Sequence, residues 1–164
     1  MFNCPYRSAE QLRSEIRQLN ARLRKKGLRI VPLRIRDGSA LIYVYRPARL
    51  KKDLSNGIAV DLLQCNGYAC GHAAHCVACL SRKMKKSASF PHEVGLFLGY
   101  PPEDVQGFME QGSRNCKLCG CWKVYGDAER AQKIFDQYKK CTAVYARKFS
   151  SGRPLERLTV AARV

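Results

Sequence analysis

Two β-favouring runs, residues 28–36 and 39–45, meet at Asp37-Gly38, and nothing else in the chain restricts its folding as much. Asp-Gly accepts the positive φ angles of a two-residue turn, so the runs are expected to pair as an antiparallel hairpin. Setting Arg36 opposite Ser39 puts Ile35 opposite Ala40, Leu33 opposite Ile42 and Val31 opposite Val44. These six residues then form one apolar face, and Arg34, Arg36, Tyr43 and Tyr45 form the other. The register predicts that Leu33, Ile42 and Val44 are buried together. Pro32 has no N–H for the ladder, which places the first strand at a sheet edge or beside an irregularity.

Helical spacing surrounds the hairpin. Ser8-Ala9-Glu10-Gln11 has the form of a capping box, and Leu12, Ile16, Leu19 and Leu23 follow as an apolar stripe that stops at Gly27. Arg13, Arg17, Arg22, Arg24, Lys25 and Lys26 make the rest of that surface cationic. After Tyr45-Arg46-Pro47 the sequence predicts a short basic helix, then a second over 58–65 ended by Asn66-Gly67. A helix over 70–84 buries Ala73, Val77, Leu80 and Met84 at 4, 3, 4 spacing. Ser87, Ser89 and Pro91 interrupt the chain before helices over 92–98 and 102–111, the latter with Pro102 at its first position and Glu103 and Asp104 at its positive end. Residues 121–125 alternate as a short strand. Asp127 caps a helix whose stripe is Ala131, Ile134, Phe135 and Tyr138, and a last strand is expected near 158–162. No repeat or long linker divides the chain. The expected fold is α+β: one compact, helix-rich domain over residues 1–164 with an antiparallel β-hairpin near the N-terminus.

A chain of 164 residues can bury roughly two thirds of its unfolded surface without disulfides. Its first residues have neither a secretory signal nor a transit pattern, and no apolar run approaches the ~20 residues of a membrane span. A cytoplasmic protein follows from this reading, in which the nine cysteines act as thiols, metal ligands or redox groups. The charge is strongly positive, with 30 Lys and Arg against 13 Asp and Glu, and residues 1–54 hold 14 of the basic and 4 of the acidic residues. Such a field attracts nucleic acid or an acidic partner; it also fits a solvated surface that selects none.

The cysteines fall into two groups. In the first, with Cys65 nearby, Cys70, His72, His75, Cys76 and Cys79 place His72 four residues before Cys76 and His75 four before Cys79, so each pair shares a helix face and could chelate zinc or iron. Semi-buried thiols and surface histidines account for the same residues. In the second, Cys116, Cys119 and Cys121 surround a glycine-containing turn, and Cys141, one helix later, could supply a fourth ligand. The pair Cys116 and Cys119 could instead be a redox dithiol whose thiolates Lys117 and Lys123 would favour, or simply small residues in a turn. The third spacing is too short for a ferredoxin pattern.

A different constellation lies in the nearly charge-balanced stretch 90–125. His92 beside Glu93 is a candidate acid–base pair, and Tyr100, Asp104, Trp122, Lys123 and Tyr125 are candidate ligand-binding residues. The alternative is that His92 starts a helix while Phe90, Phe97, Tyr100 and Phe108 are core. Gly95, Gly99, Gly107, Gly112 and Gly120 fit no phosphate-loop pattern.

The run Phe90-Pro91-His92-Glu93-Val94-Gly95-Leu96-Phe97-Leu98-Gly99-Tyr100-Pro101, with Pro102-Glu103-Asp104-Val105-Gln106-Gly107-Phe108 and Gly120-Cys121-Trp122-Lys123-Val124-Tyr125, closely resembles a family of anaerobic Gram-positive bacteria catalogued as domain of unknown function 3793. The specific similarity covers about residues 88–145. It implies kinship and brings no activity, cofactor or catalytic residue with it. The family's usual Gly-Tyr-Trp-Lys-Val-Tyr has tyrosine where Cys121 stands, and the cysteine-rich helix is likewise atypical. The expected functions, in order, are a thiol-rich metal- or redox-linked accessory protein holding zinc or iron, a basic nucleic-acid-binding module, and an enzyme built on His92 and Glu93.

Overall fold

The computed structural model describes residues 1–69, 71–86 and 89–161. Along the chain these form β1 (Phe2–Pro5), α1 (Ala9–Leu23), a 3-10 turn (Arg24–Lys26), β2 (Arg29–Arg36), β3 (Ser39–Tyr45), α2 (Pro47–Leu54), α3 (Gly57–Cys65), α4 (Ala73–Lys86), α5 (Val94–Phe97), α6 (Pro102–Gln111), β4 (Leu118–Cys119), β5 (Lys123–Val124), α7 (Ala128–Ser150) and α8 (Leu155–Leu158). The fold is α+β and helix-rich, as the sequence led us to expect. Among the described residues, no helix is long and apolar enough to cross a membrane.

Local signals place the helix ends. The Ser8 hydroxyl accepts from the Gln11 N–H, while the Gln11 side-chain amide donates to Glu15 instead of returning to Ser8. Gly27 ends the 3-10 turn in the left-handed region, at φ 73°. Asn56 and Asp127 cap α3 and α7 by accepting from Ala59 and Arg130 N–H groups.

The hairpin forms around Asp37-Gly38, but its register differs from the simple one. Arg36 pairs Ser39 and Ile35 pairs Ala40 as expected; then Arg34 pairs Leu41, Pro32 pairs Ile42, Val31 pairs Tyr43 and Ile30 pairs Val44. Leu33 is the extra residue of a bulge, beside the proline that cannot serve the ladder. The bulge moves Leu33 to the opposite face from Ile42, so the expected common burial of Leu33, Ile42 and Val44 does not occur. Leu33 packs with Leu41 and Tyr43, Ile42 packs with Ile30 and Ala40, and Val44 is exposed. Tyr43, expected on a polar face, is buried and donates from its hydroxyl to the Phe97 carbonyl at 2.5 Å. Burial raises its pKa strongly, aided by the nearby Tyr45 and Asp53.

The sheet order is β1-β3-β2. The sequence gives no plain signal for β1, which pairs antiparallel with β3 from Phe2 opposite Ile42 to Pro5 opposite Ser39. Both faces of this sheet are covered. On one, Leu12, Ile16 and Leu23 of α1 meet Ile30, Ala40 and Ile42. On the other, Leu33, Leu41 and Tyr43 meet the larger core contributed by α2 to α6, including Leu63, Leu80, Met84 and Phe97. Ser81 of α4 donates to the Leu33 carbonyl at 2.8 Å, satisfying the bulged residue. Asn20 bonds both the N–H and the carbonyl of Ile30, so a side chain shields part of the β2 edge.

The strand expected near 158–162 is replaced by the short helix α8. The Lys26 ammonium bonds the Glu156 and Thr159 carbonyls and Arg46 the Val160 carbonyl, and these contacts hold the tail against the 3-10 turn rather than at a sheet edge. Residue 162 lies outside the described residues.

Candidate functional site

The resemblance-bearing segment folds around a pocket of about 290 Å³. Its approach begins with α5, which ends in a Schellman motif: the Gly99 N–H bonds the Leu96 carbonyl and the Tyr100 N–H bonds the Gly95 carbonyl. Gly99 supplies the positive φ of 77° that this ending needs and so aims Tyr100 at the hairpin β4–β5. At Gly107 a Cβ would sit 2.5 Å from the Tyr125 ring. Its hydrogen therefore lets α6 and the hairpin approach closely.

Asp104 fixes the pocket floor. It is buried, one oxygen accepts from the Trp122 indole N–H at 2.7 Å, and the other accepts from the N–H groups of Tyr125 and Gly126, both at 2.8 Å. Its position in the first turn of α6 suits a carboxylate. With three donors already satisfied, it acts as a tether for Trp122 and not as a ligand-facing base. Above it, Tyr100 stacks on Trp122 with ring centroids 4.9 Å apart, and Phe135 of α7 meets the indole edge-on at 4.6 Å. The Tyr100 hydroxyl donates to the Cys121 carbonyl at 3.3 Å, and burial raises its pKa, so the phenol stays protonated.

Pocket walls come from Phe90, Val94, Tyr100, Phe108 and Trp122, with His92 and Lys123 as basic groups among them. His92 is edge-on to Phe108, with centroids 5.1 Å apart. The candidates His92, Tyr100, Asp104, Trp122 and Lys123 all line this pocket, and so do Phe90 and Phe108, which the alternative reading places with Tyr100 in the core. Phe90 is 45 % exposed, a value no periodicity argument supplies for a residue just before a helix. Tyr125, also expected at the site, does not line the pocket and sends its hydroxyl to the Gly112 carbonyl.

Glu93 does not join His92. It is 3 % exposed and accepts from the Tyr68 hydroxyl at 3.0 Å and from the Lys83 ammonium at 2.9 Å. Burial and the adjacent carboxylate together push the Tyr68 pKa well up, keeping that phenol a donor. The acid–base pair of the enzymatic reading is therefore split: one member lines the pocket and the other forms a buried tie between the α3–α4 loop, α4 and the start of α5.

The cysteines among the described residues do not assemble into a metal site either. Among the described residues, no group of three or more His, Cys, Asp or Glu could hold a metal ion. Cys116, Cys119, Cys121 and Cys141 thus fail to converge: the first three follow a narrow hairpin, while Cys141 is exposed on α7. In the other set, Cys70 lies outside the described residues. The His72 and His75 rings touch edge-on, Cys76 is buried in the main core, and the Cys79 thiol contacts the Gly67 carbonyl at 3.8 Å. Burial of Cys76 in the core draws it away from the exposed His72, its partner in one of the i, i+4 pairs. Alkylation of the native protein should label Cys65, Cys119, Cys121 and Cys141 rapidly and Cys76 only on unfolding, as read by peptide mass spectrometry. Fast native labelling of Cys76 would contradict this packing.

A family model described as "Protein of unknown function (DUF3793)" matches residues 1–159. No curated protein and no solved structure matches the chain.

Proposed function

The chain belongs to the DUF3793 family, and from that premise we propose that it is a non-enzymatic ligand-binding domain whose pocket takes a flat, apolar molecule carrying an anionic group. The observation behind this reading is the combination of aromatic walls, Phe90, Tyr100, Phe108 and Trp122, with Lys123 and His92 in the same lining. Aromatic faces accept planar groups by dispersion and stacking, and a lysine at a mostly apolar site orients an anion. Lys123 has no ion-pair partner among the described residues. Trp122, tethered from below by Asp104, presents its ring in a set orientation, so little ordering is needed when a ligand stacks.

The chain's single tryptophan makes the test direct. An aromatic sulfonate dye, 1-anilinonaphthalene-8-sulfonate, is expected to bind saturably at one site and to quench Trp122 by energy transfer. Lys123→Ala should weaken binding about 3- to 10-fold, and Phe108→Ala about 10-fold or more, at unchanged far-ultraviolet circular dichroism. Dye binding that neither substitution alters, or that leaves Trp122 emission intact, would place the functional centre elsewhere.

A second reading, contact with nucleic acid or another polyanion, concerns the opposite end of the chain. It is supported by the exposure of Arg7, Arg13, Arg17, Arg24 and Lys25 on and around α1, in a segment with few carboxylates to neutralise them.

A further inference from the structure

We infer that a concavity lined by Arg24, Arg29, Arg46 and Arg49 seats the phosphates of a nucleic-acid backbone, a specific placement that rests on the polyanion reading of the basic half. Four guanidinium-bearing residues from three separate segments, the 3-10 turn, the start of β2 and the β3–α2 junction, surround one space of about 530 Å³. Gly27, Leu28, Pro47 and Ala48 complete the lining, so no carboxylate-bearing residue is among them.

The charges in this space are largely uncompensated. Arg49 pairs with Asp53 at 2.9 Å, but Arg24, Arg29 and Arg46 have no ion-pair partner among the described residues. Arg46 is also held in place. Its guanidinium donates to the Lys26 carbonyl at 2.7 Å and to the Val160 carbonyl, neutral acceptors that orient the group without cancelling its charge. Val160 belongs to the tail that the Lys26 ammonium and the Arg22–Glu156 pair draw onto the 3-10 turn. The C-terminal segment thereby helps to hold Arg46, one of the four arginines, in place.

Crowding like charges around a concave, partly apolar surface is unfavourable unless an anion joins them, and such a shape focuses the field on the anion that does. Guanidinium matches phosphate in a planar, two-point geometry and is weakly hydrated, which makes arginine better suited than lysine to this task. A backbone fits better than one phosphate because exposed Arg13 and Arg17 continue the positive surface along α1. No aromatic residue lines the concavity, so bases have nothing there to stack on, and binding should be indifferent to sequence.

The test uses the full chain and a fluorescently labelled 20-nucleotide single-stranded DNA of mixed sequence, read by anisotropy across a salt series. Arg24→Ala/Arg29→Ala/Arg49→Ala is expected to weaken binding at least tenfold and to flatten the slope of log affinity against log salt by about 2, close to 0.7 for each lost phosphate contact. Arg13→Ala/Arg17→Ala, charge removed from α1 outside the concavity, should weaken binding only about twofold to threefold. A scrambled sequence should bind within twofold. Equal losses in the two variants would overturn the concavity as the seat while leaving a diffuse polyanion surface. Absence of DNA binding at low salt would overturn both. Binding of inorganic tripolyphosphate without DNA would assign the site to small phosphates and reject a nucleic-acid partner.

Discussion

Asp104→Ala should lower the unfolding free energy by about 3–6 kcal/mol, because it strips three donors of one buried acceptor pair: the Trp122 indole and the backbone N–H groups of Tyr125 and Gly126. Each donor left dry costs roughly 1–3 kcal/mol, with partial relief if water enters. Asp104→Asn separates the roles. Its remaining oxygen can still accept from the two backbone groups, but its NH₂ would then confront the indole N–H, donor against donor. The asparagine variant should therefore lose less stability than the alanine one yet still release Trp122, seen as red-shifted emission and loss of dye binding. If chemical denaturation showed Asp104→Ala within about 1 kcal/mol of the parent, the tether would not hold the pocket floor.

Leu33→Asp and Val44→Asp should differ sharply. Leu33 is fully buried, and a carboxylate there would be unpaired in the main core, costing about 4 kcal/mol or more. Val44 is 36 % exposed, and aspartate there should cost no more than about 1 kcal/mol. The regular register would make the two substitutions comparably damaging, since it places both side chains on one buried face. Urea melts of both variants thus read the bulge directly, and comparable midpoints would reject it.

The same hairpin shows where the sequence was sufficient. Asp37 and Gly38 both take positive φ, 50° and 73°, and the first two pairs beyond them fall as a two-residue turn requires. Ser8 and Asp127 cap the helices they precede, and Pro102 opens α6, because each signal acts within one turn of chain and needs no distant partner. The pocket was partly legible for a related reason: an aromatic- and glycine-rich stretch without the charge found elsewhere has few places to go but an interior or a ligand site.

Only the tertiary structure decided the rest. The slip at Leu33 is favoured because the sheet is packed on both faces, with α1 taking Ile42 and α2 to α6 taking Leu33, and alternation within one strand carries no record of a second layer. Glu93 was separated from its neighbour His92 when Tyr68 and Lys83, 25 and 10 residues earlier in the chain, claimed its carboxylate. Cysteine spacing suggested metal sites, yet chelation requires convergence in space, and the narrow hairpin and the long α7 do not bring those thiols together. The arginine concavity likewise draws on residues 24 to 49, and one of its arginines, Arg46, is held by the tail carbonyl of Val160, a bond across more than a hundred residues. Composition and local propensity set the elements and the charge of this protein, while burial and long-range hydrogen bonds chose which polar groups meet.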